Sequence, residues 1–69
     1  METISLTAPD ISCEHCKMTI EREVRALAGV QACSVDIPSK QVSVRYDPTT
    51  VSRHQIVETL DEEGYPVAS

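Results

Sequence analysis

Cys13 and Cys16 stand three positions apart in the stretch DISCEHCKM, residues 10–18, with His15 between them and Lys17 behind. A pair at this spacing can exchange electrons with other thiols, supply part of a structural zinc shell, or hold a soft ion for later release. A structural zinc site usually draws four protein ligands from two paired motifs, and this chain has one Cys-x-x-Cys. Two thiolates suffice for low-coordinate Cu(I), and the open shell lets a partner's thiol enter. Thiolates also favour soft or borderline ions, chiefly Cu(I) and Zn(II), over oxygen-seeking ones such as magnesium.

The neighbours bear on the thiol chemistry. A free cysteine has a pKa of about 8.5, and a helix N-terminus or a cationic neighbour lowers it. Lys17 would add to that effect and Glu14 would oppose it. His15 is open to three readings: a weak third ligand, a tuner of thiolate pKa, or an exposed first-turn residue with no metal role. Cys33 falls on the inward side of an alternating run and reads as a small buried hydrophobe, not a ligand. His54 lies off the apolar stripe of its helix and reads as surface. Glu21 and Arg25, spaced i,i+4, read as part of a solvated helix face.

The chain that must position these residues has 69 of them, enough for one domain over 1–69 with a small core. Hydrophobic residues make up 41%, with no Trp or Phe and two Tyr, so that core is aliphatic. Six basic residues are scattered among eleven acidic ones, for a net charge of −5. No basic face is available for phosphates, which excludes nucleic acid as an expected partner. No apolar run approaches the ~18 residues of a membrane span, and METISLTAPD lacks the basic flank and apolar centre of a signal peptide. The expectation is a free cytoplasmic protein without membrane insertion. In that compartment thiols stay reduced, so three cysteines are not a disulfide framework.

Residues 3–8 alternate, with Ile4, Leu6 and Ala8 on one side, as a half-buried strand does. From Glu14 the period lengthens: Cys16, Ile20, Val24 and Leu27 form a helical stripe that Gly29 stops. Residues 31–37 and 40–46 alternate again and are joined as a hairpin at Pro38-Ser39. Ser52 and Gln55 form a capping box for a second helix with Ile56, Val57 and Leu60 buried, and Gly64 ends it. Tyr65 to Ala68 is expected to pair as an edge strand, where Pro66 is tolerated. The order βαββαβ implies an α+β, ferredoxin-like fold: a four-stranded antiparallel sheet with both helices on one face. Cys13 then lies in the loop leaving the first strand and Cys16 in the first turn of the first helix.

With ISCEHC at 11–16, LAGVQACSVDI at 27–37, QVSVRYDP at 41–48 and LDEEGYPV at 60–67, the chain resembles the heavy-metal-associated domains over essentially its whole length. That family includes bacterial copper chaperones and the metal-binding domains of copper-exporting P-type ATPases. The resemblance implies Cys13 and Cys16 as the metal ligands, Cu(I) as the usual cargo, and Tyr65 as a residue beside the metal loop that shields it. It further implies transfer to a homologous domain of a P-type ATPase or a copper-responsive regulator. The apo form is expected to be a monomer, with room for a metal-bridged dimer. Two departures stand out. Asp10-Ile11 replaces the family's Gly-Met, and Ser12 occupies the place where zinc-selective members carry an acid. Copper is therefore the expected cargo, with Zn(II) or Cd(II) the alternative that His15 and Asp10 would favour.

Two functions from different classes follow. The first is a non-enzymatic Cu(I) chaperone that passes its ion on by ligand exchange, with the more exposed Cys13 attacked first. The second is a thiol-disulfide oxidoreductase, but the thioredoxin-like fold needs roughly a hundred residues and a βαβ start.

Overall fold

The computed structural model describes residues 1–68. They run β1 (Glu2–Thr7), α1 (Glu14–Arg25), β2 (Val30–Asp36), β3 (Gln41–Tyr46) and α2 (Arg53–Glu62). β3 lies between β1 and β2 and is antiparallel to both. Leu6 pairs with Val42 and Val42 with Val35, so the apolar members of three strands line up on one face and are buried. The two-residue period sets Ser5, Ser43 and Ser34 in a row on the opposite face, all exposed. Ile20 and Val24 of α1 and Ile56 and Leu60 of α2 join the apolar face in a single core. Each such side chain contributes roughly 1.5–3 kcal/mol when fully buried, and a chain of this length has few to spare.

The helix boundaries follow from local chemistry. α2 opens on the expected capping box: the Gln55 N–H donates to Ser52 Oγ at 3.2 Å and the Ser52 N–H to Gln55 Oε1 at 3.0 Å. α1 ends at Arg25, with Ala26 as its C-cap, before the expected stop at Gly29. Gly29 instead turns the chain into β2 with a φ of 94°. Among the described residues no helix is long and apolar enough to cross a membrane.

Three expectations need correction. The sheet has three strands among the described residues, not four. The segment after α2 does reach the open side of β1, where the Ala68 N–H donates to the Thr7 carbonyl at 2.8 Å. Pro66 has no N–H to continue a ladder, so the segment docks without becoming a strand. Second, the alternating run starting at residue 40 becomes a strand only from Gln41. Lys40 has a φ of 59° and is the one non-glycine residue with positive φ among those described. A left-handed backbone costs an L-residue about 1–2 kcal/mol, so other contacts must hold Lys40 there.

The third correction concerns Glu21 and Arg25, which are not merely a solvated pair. Glu21 accepts the Val35 N–H at 3.2 Å, and Arg25 donates to the Cys33 carbonyl at 3.2 Å. Val35 and Cys33 lie on β2, the edge strand away from β1. Unpaired edge groups template pairing with other chains, and these two side chains occupy them.

Candidate metal site

Cys13 is the N-cap of α1, with extended backbone at φ −154° and ψ 171°. An N-cap side chain ordinarily accepts a backbone N–H and stabilises the helix by about 1 kcal/mol. Cys13 makes no such bond, which leaves its sulfur exposed and available. Cys16 falls in the first turn, half-buried against the core, and the two sulfurs are 3.6 Å apart. That is far beyond the about 2.05 Å of a disulfide. It is also less than twice a zinc–sulfur bond of about 2.3 Å, so a single ion can touch both.

The surroundings of Cys16 favour its thiolate. Its thiol is held well below the ordinary value of 9.0, at about 6, chiefly by the Tyr65 hydroxyl, then by the Ser12 N–H and by Cys13. Tyr65 shows the other end of the same bond: donation to Cys16 together with burial pushes its hydroxyl up to about 12. Cys33 behaves oppositely. Its side chain is 1% exposed, and burial with the nearby Glu21 carboxylate pushes its thiol up to about 11.

The residues singled out by sequence divide clearly. Cys13, Cys16, Tyr65 and the Ser12 backbone come together. Lys17 is half-buried on α1, and it is not among the groups that lower Cys16. His15 and Asp10 are exposed. Among the described residues no three Cys, His, Asp or Glu side chains group to hold an ion, so neither residue completes a three-ligand shell with the cysteine pair. His54 is a surface residue, as expected, with Nε2 2.9 Å from Glu58 Oε1.

Sequence reasoning passes over Lys40. Its Nζ donates to the Ile11 carbonyl at 2.5 Å, and its own carbonyl accepts the Ala8 N–H at 2.9 Å. Ala8 and Ile11 are the two ends of a turn closed by the Ile11 N–H on the Ala8 carbonyl at 3.1 Å. No spacing rule links residue 40 to residue 11, and the only signal is a basic residue at the end of a tight hairpin.

The chain that carries this site is similar to known proteins along most of its length. The family model of the heavy-metal-associated domain matches residues 5–66. The chain belongs to this family. Copper chaperone CopZ of Bacillus subtilis strain 168 is 35% identical over 68 residues, covering 99% of each chain. A solved CopZ metallochaperone superposes with a TM-score of 0.95 at 31% identity, covering 97% of this chain and 100% of that one. The N-terminal domain of a potential copper-translocating P-type ATPase from Bacillus subtilis, solved in the Cu(I)-loaded state, gives a TM-score of 0.91 at 26% identity. That match covers 96% of this chain and 82% of the other. The heavy-metal-associated fold thus extends along nearly the whole chain, and the α+β, ferredoxin-like class expected from sequence holds.

Proposed function

We propose that this heavy-metal-associated domain is a Cu(I) chaperone that carries its ion on Cys13 and Cys16 and hands it to a homologous domain of a copper-transporting P-type ATPase. The observation that carries this reading is the pair of sulfurs 3.6 Å apart at an exposed helix start, with no third ligand grouped beside them among the described residues. A shell with two protein ligands retains a soft ion and stays open to an incoming thiolate. The full-length similarity to CopZ chaperones and the shared fold with a Cu(I)-loaded ATPase domain support the same cargo and the same class of partner.

Transfer needs no net redox change. A partner thiolate approaches from the side of the exposed Cys13 and binds the ion as a third ligand. The bond to Cys13 then breaks, and a second partner thiolate displaces Cys16. The copper remains Cu(I) throughout, and every sulfur ends as thiolate or thiol. The chain forms and breaks no substrate covalent bond, so it acts as a carrier and not as an enzyme. The cytoplasm, where glutathione and thioredoxin keep thiols reduced, suits this chemistry.

The test is competition against a strong Cu(I) chelator. The native chain is expected to retain one ion, and a Cys13→Ser, Cys16→Ser variant to retain none. Equal retention by the two would sink the proposal. A parallel titration at buffered free Zn(II) is expected to show weaker occupancy than Cu(I) at the same free concentration, and the reverse order would make zinc the cargo.

A further inference from the structure

The turn before the metal pair is gripped from the opposite hairpin by one residue. Lys40 receives the Ala8 N–H on its backbone carbonyl and donates its ammonium to the Ile11 carbonyl, so it holds both ends of the 8–11 turn. The Ile11 side chain is 0% exposed and pinned in the core. The Ile11 carbonyl and the Ser12 N–H are opposite ends of one rigid peptide plane. That N–H is among the groups that lower the Cys16 thiol. The Lys40 ammonium is thereby linked through the Ile11–Ser12 peptide to Cys13, the N-cap of α1.

We propose that Lys40 is a positioning residue of the Cys13–Cys16 loop, fixing the Ile11–Ser12 peptide that leads directly into Cys13, the N-cap of α1. Two features argue that this is more than a surface contact. Lys40 adopts a left-handed backbone with φ 59°, a conformation glycine adopts freely and other residues resist. The position thus keeps a residue whose backbone is disfavoured there and whose side chain reaches the loop. The ammonium also polarises the peptide it binds, and hydrogen bonds in series strengthen one another. Groups that orient metal ligands without touching the metal typically change metal affinity by about 10–100-fold when removed.

The consequence for cargo rests on the Cu(I) reading above; the positioning itself does not. The experiment compares the full chain with Lys40→Gly, Lys40→Met and Lys40→Arg. Lys40→Gly removes the ammonium while easing the backbone, and urea unfolding of the same variant separates a loss of site order from global unfolding. In the apo protein, amide exchange of Ser12 is expected to accelerate in the Gly and Met variants and to recover in the Arg variant. Cu(I) affinity, measured by chelator competition, is expected to fall about tenfold in the same two variants and to recover with Arg. Unchanged Ser12 exchange in both Gly and Met variants would overturn the proposal. Faster exchange with unchanged Cu(I) affinity would overturn its consequence for cargo. If the native chain itself retained no Cu(I), the functional reading would fail while the exchange result still decided the role of Lys40.

Discussion

Tyr65, just beyond α2, faces Cys16 in the first turn of α1, and its hydroxyl is the first cause of the lowered Cys16 thiol. The pairing depresses one partner and raises the other, the signature of a proton held on oxygen while the charge rests on sulfur. Both shifts favour a thiolate on Cys16. Alkylation of Cys16 by iodoacetamide is expected to follow a titration with a midpoint near 6. In Tyr65→Phe the midpoint moves up toward the ordinary 9.0, and the rate at pH 7 falls. An unmoved midpoint in Tyr65→Phe would remove the tyrosine from this role.

The same shift makes stability depend on pH. Cys16 titrates lower in the folded chain, at about 6, than in the unfolded chain, near 9.0. Its stabilisation is therefore complete above 9.0 and is lost as pH falls through 6. Cys33, raised to about 11, and Tyr65, raised to about 12, act in the other direction, and their contributions decline only above the unfolded values of 9.0 and 10.0. Urea unfolding of the reduced apo protein should show stability rising from pH 6 to 9 and falling beyond it. Cys16→Ser should flatten the rising limb and, because Cys16 is the first cause of the Tyr65 shift, leave only the Cys33 part of the falling one.

Glu21 and Arg25 occupy the edge groups of β2, at Val35 N–H and the Cys33 carbonyl. A hydrogen bond to a charged group contributes about 1.5–3 kcal/mol, and the only partly buried setting of both bonds places them at the lower end. Glu21→Ala or Arg25→Ala is expected to lower unfolding stability by about 1–2 kcal/mol each. The double variant also uncovers a strand edge, so it should self-associate at concentrations where the native chain is monomeric, as light scattering would record. A double variant that remained monomeric would show that the edge is protected by other means.

The elements that a short window of residues can specify are legible in the sequence itself. The alternation of residues 3–8, the stripe from Cys16 through Ile20 to Val24, and the Ser52–Gln55 capping box are each local, and each forms the expected element. The junction that presents Cys13 and Cys16 follows from them. What escapes depends on contacts between distant parts of the chain. The i,i+4 spacing of Glu21 and Arg25 records that they share a helix face, not that an edge strand passes beside it. Lys40 continues an alternating pattern that carries no information about φ. The Tyr65–Ala68 tail has strand-like composition, but Pro66 removes a donor, and one bond to Thr7 is what the structure retains. Tyr65 itself can be assigned to the metal loop only through family resemblance, because nothing in its own neighbourhood points to Cys16.

Cys33 separates thiol content from thiol function. It is buried against the core, and its thiol is raised to about 11, so it stays protonated and unreactive at neutral pH. Cys33→Ala is expected to leave Cu(I) retention unchanged and to cost about 1 kcal/mol of stability through the small cavity it leaves. Chelator competition and urea unfolding on one sample separate the two effects. Loss of Cu(I) at unchanged stability would instead make Cys33 a third ligand.

Gly29 and Gly64 both have positive φ, 94° and 89°, yet their surroundings differ. A Cβ built at Gly29 would lie 2.8 Å from Thr50 Cβ and 3.0 Å from Val51 Cγ1, while one at Gly64 would meet nothing within 4 Å. Gly29 is also held by its carbonyl, which accepts the Asp47 N–H at 2.8 Å, so it cannot move away without breaking the tie between the start of β2 and the end of β3. Gly64→Ala loses mainly through the left-handed backbone, about 1 kcal/mol. Gly29→Ala adds a clash with a β-branched side chain and is expected to cost about 2–4 kcal/mol. Thermal unfolding of the two variants side by side distinguishes space from conformation: equal losses would show that φ alone governs both positions, whereas a markedly larger loss at Gly29 assigns the difference to Thr50 and Val51.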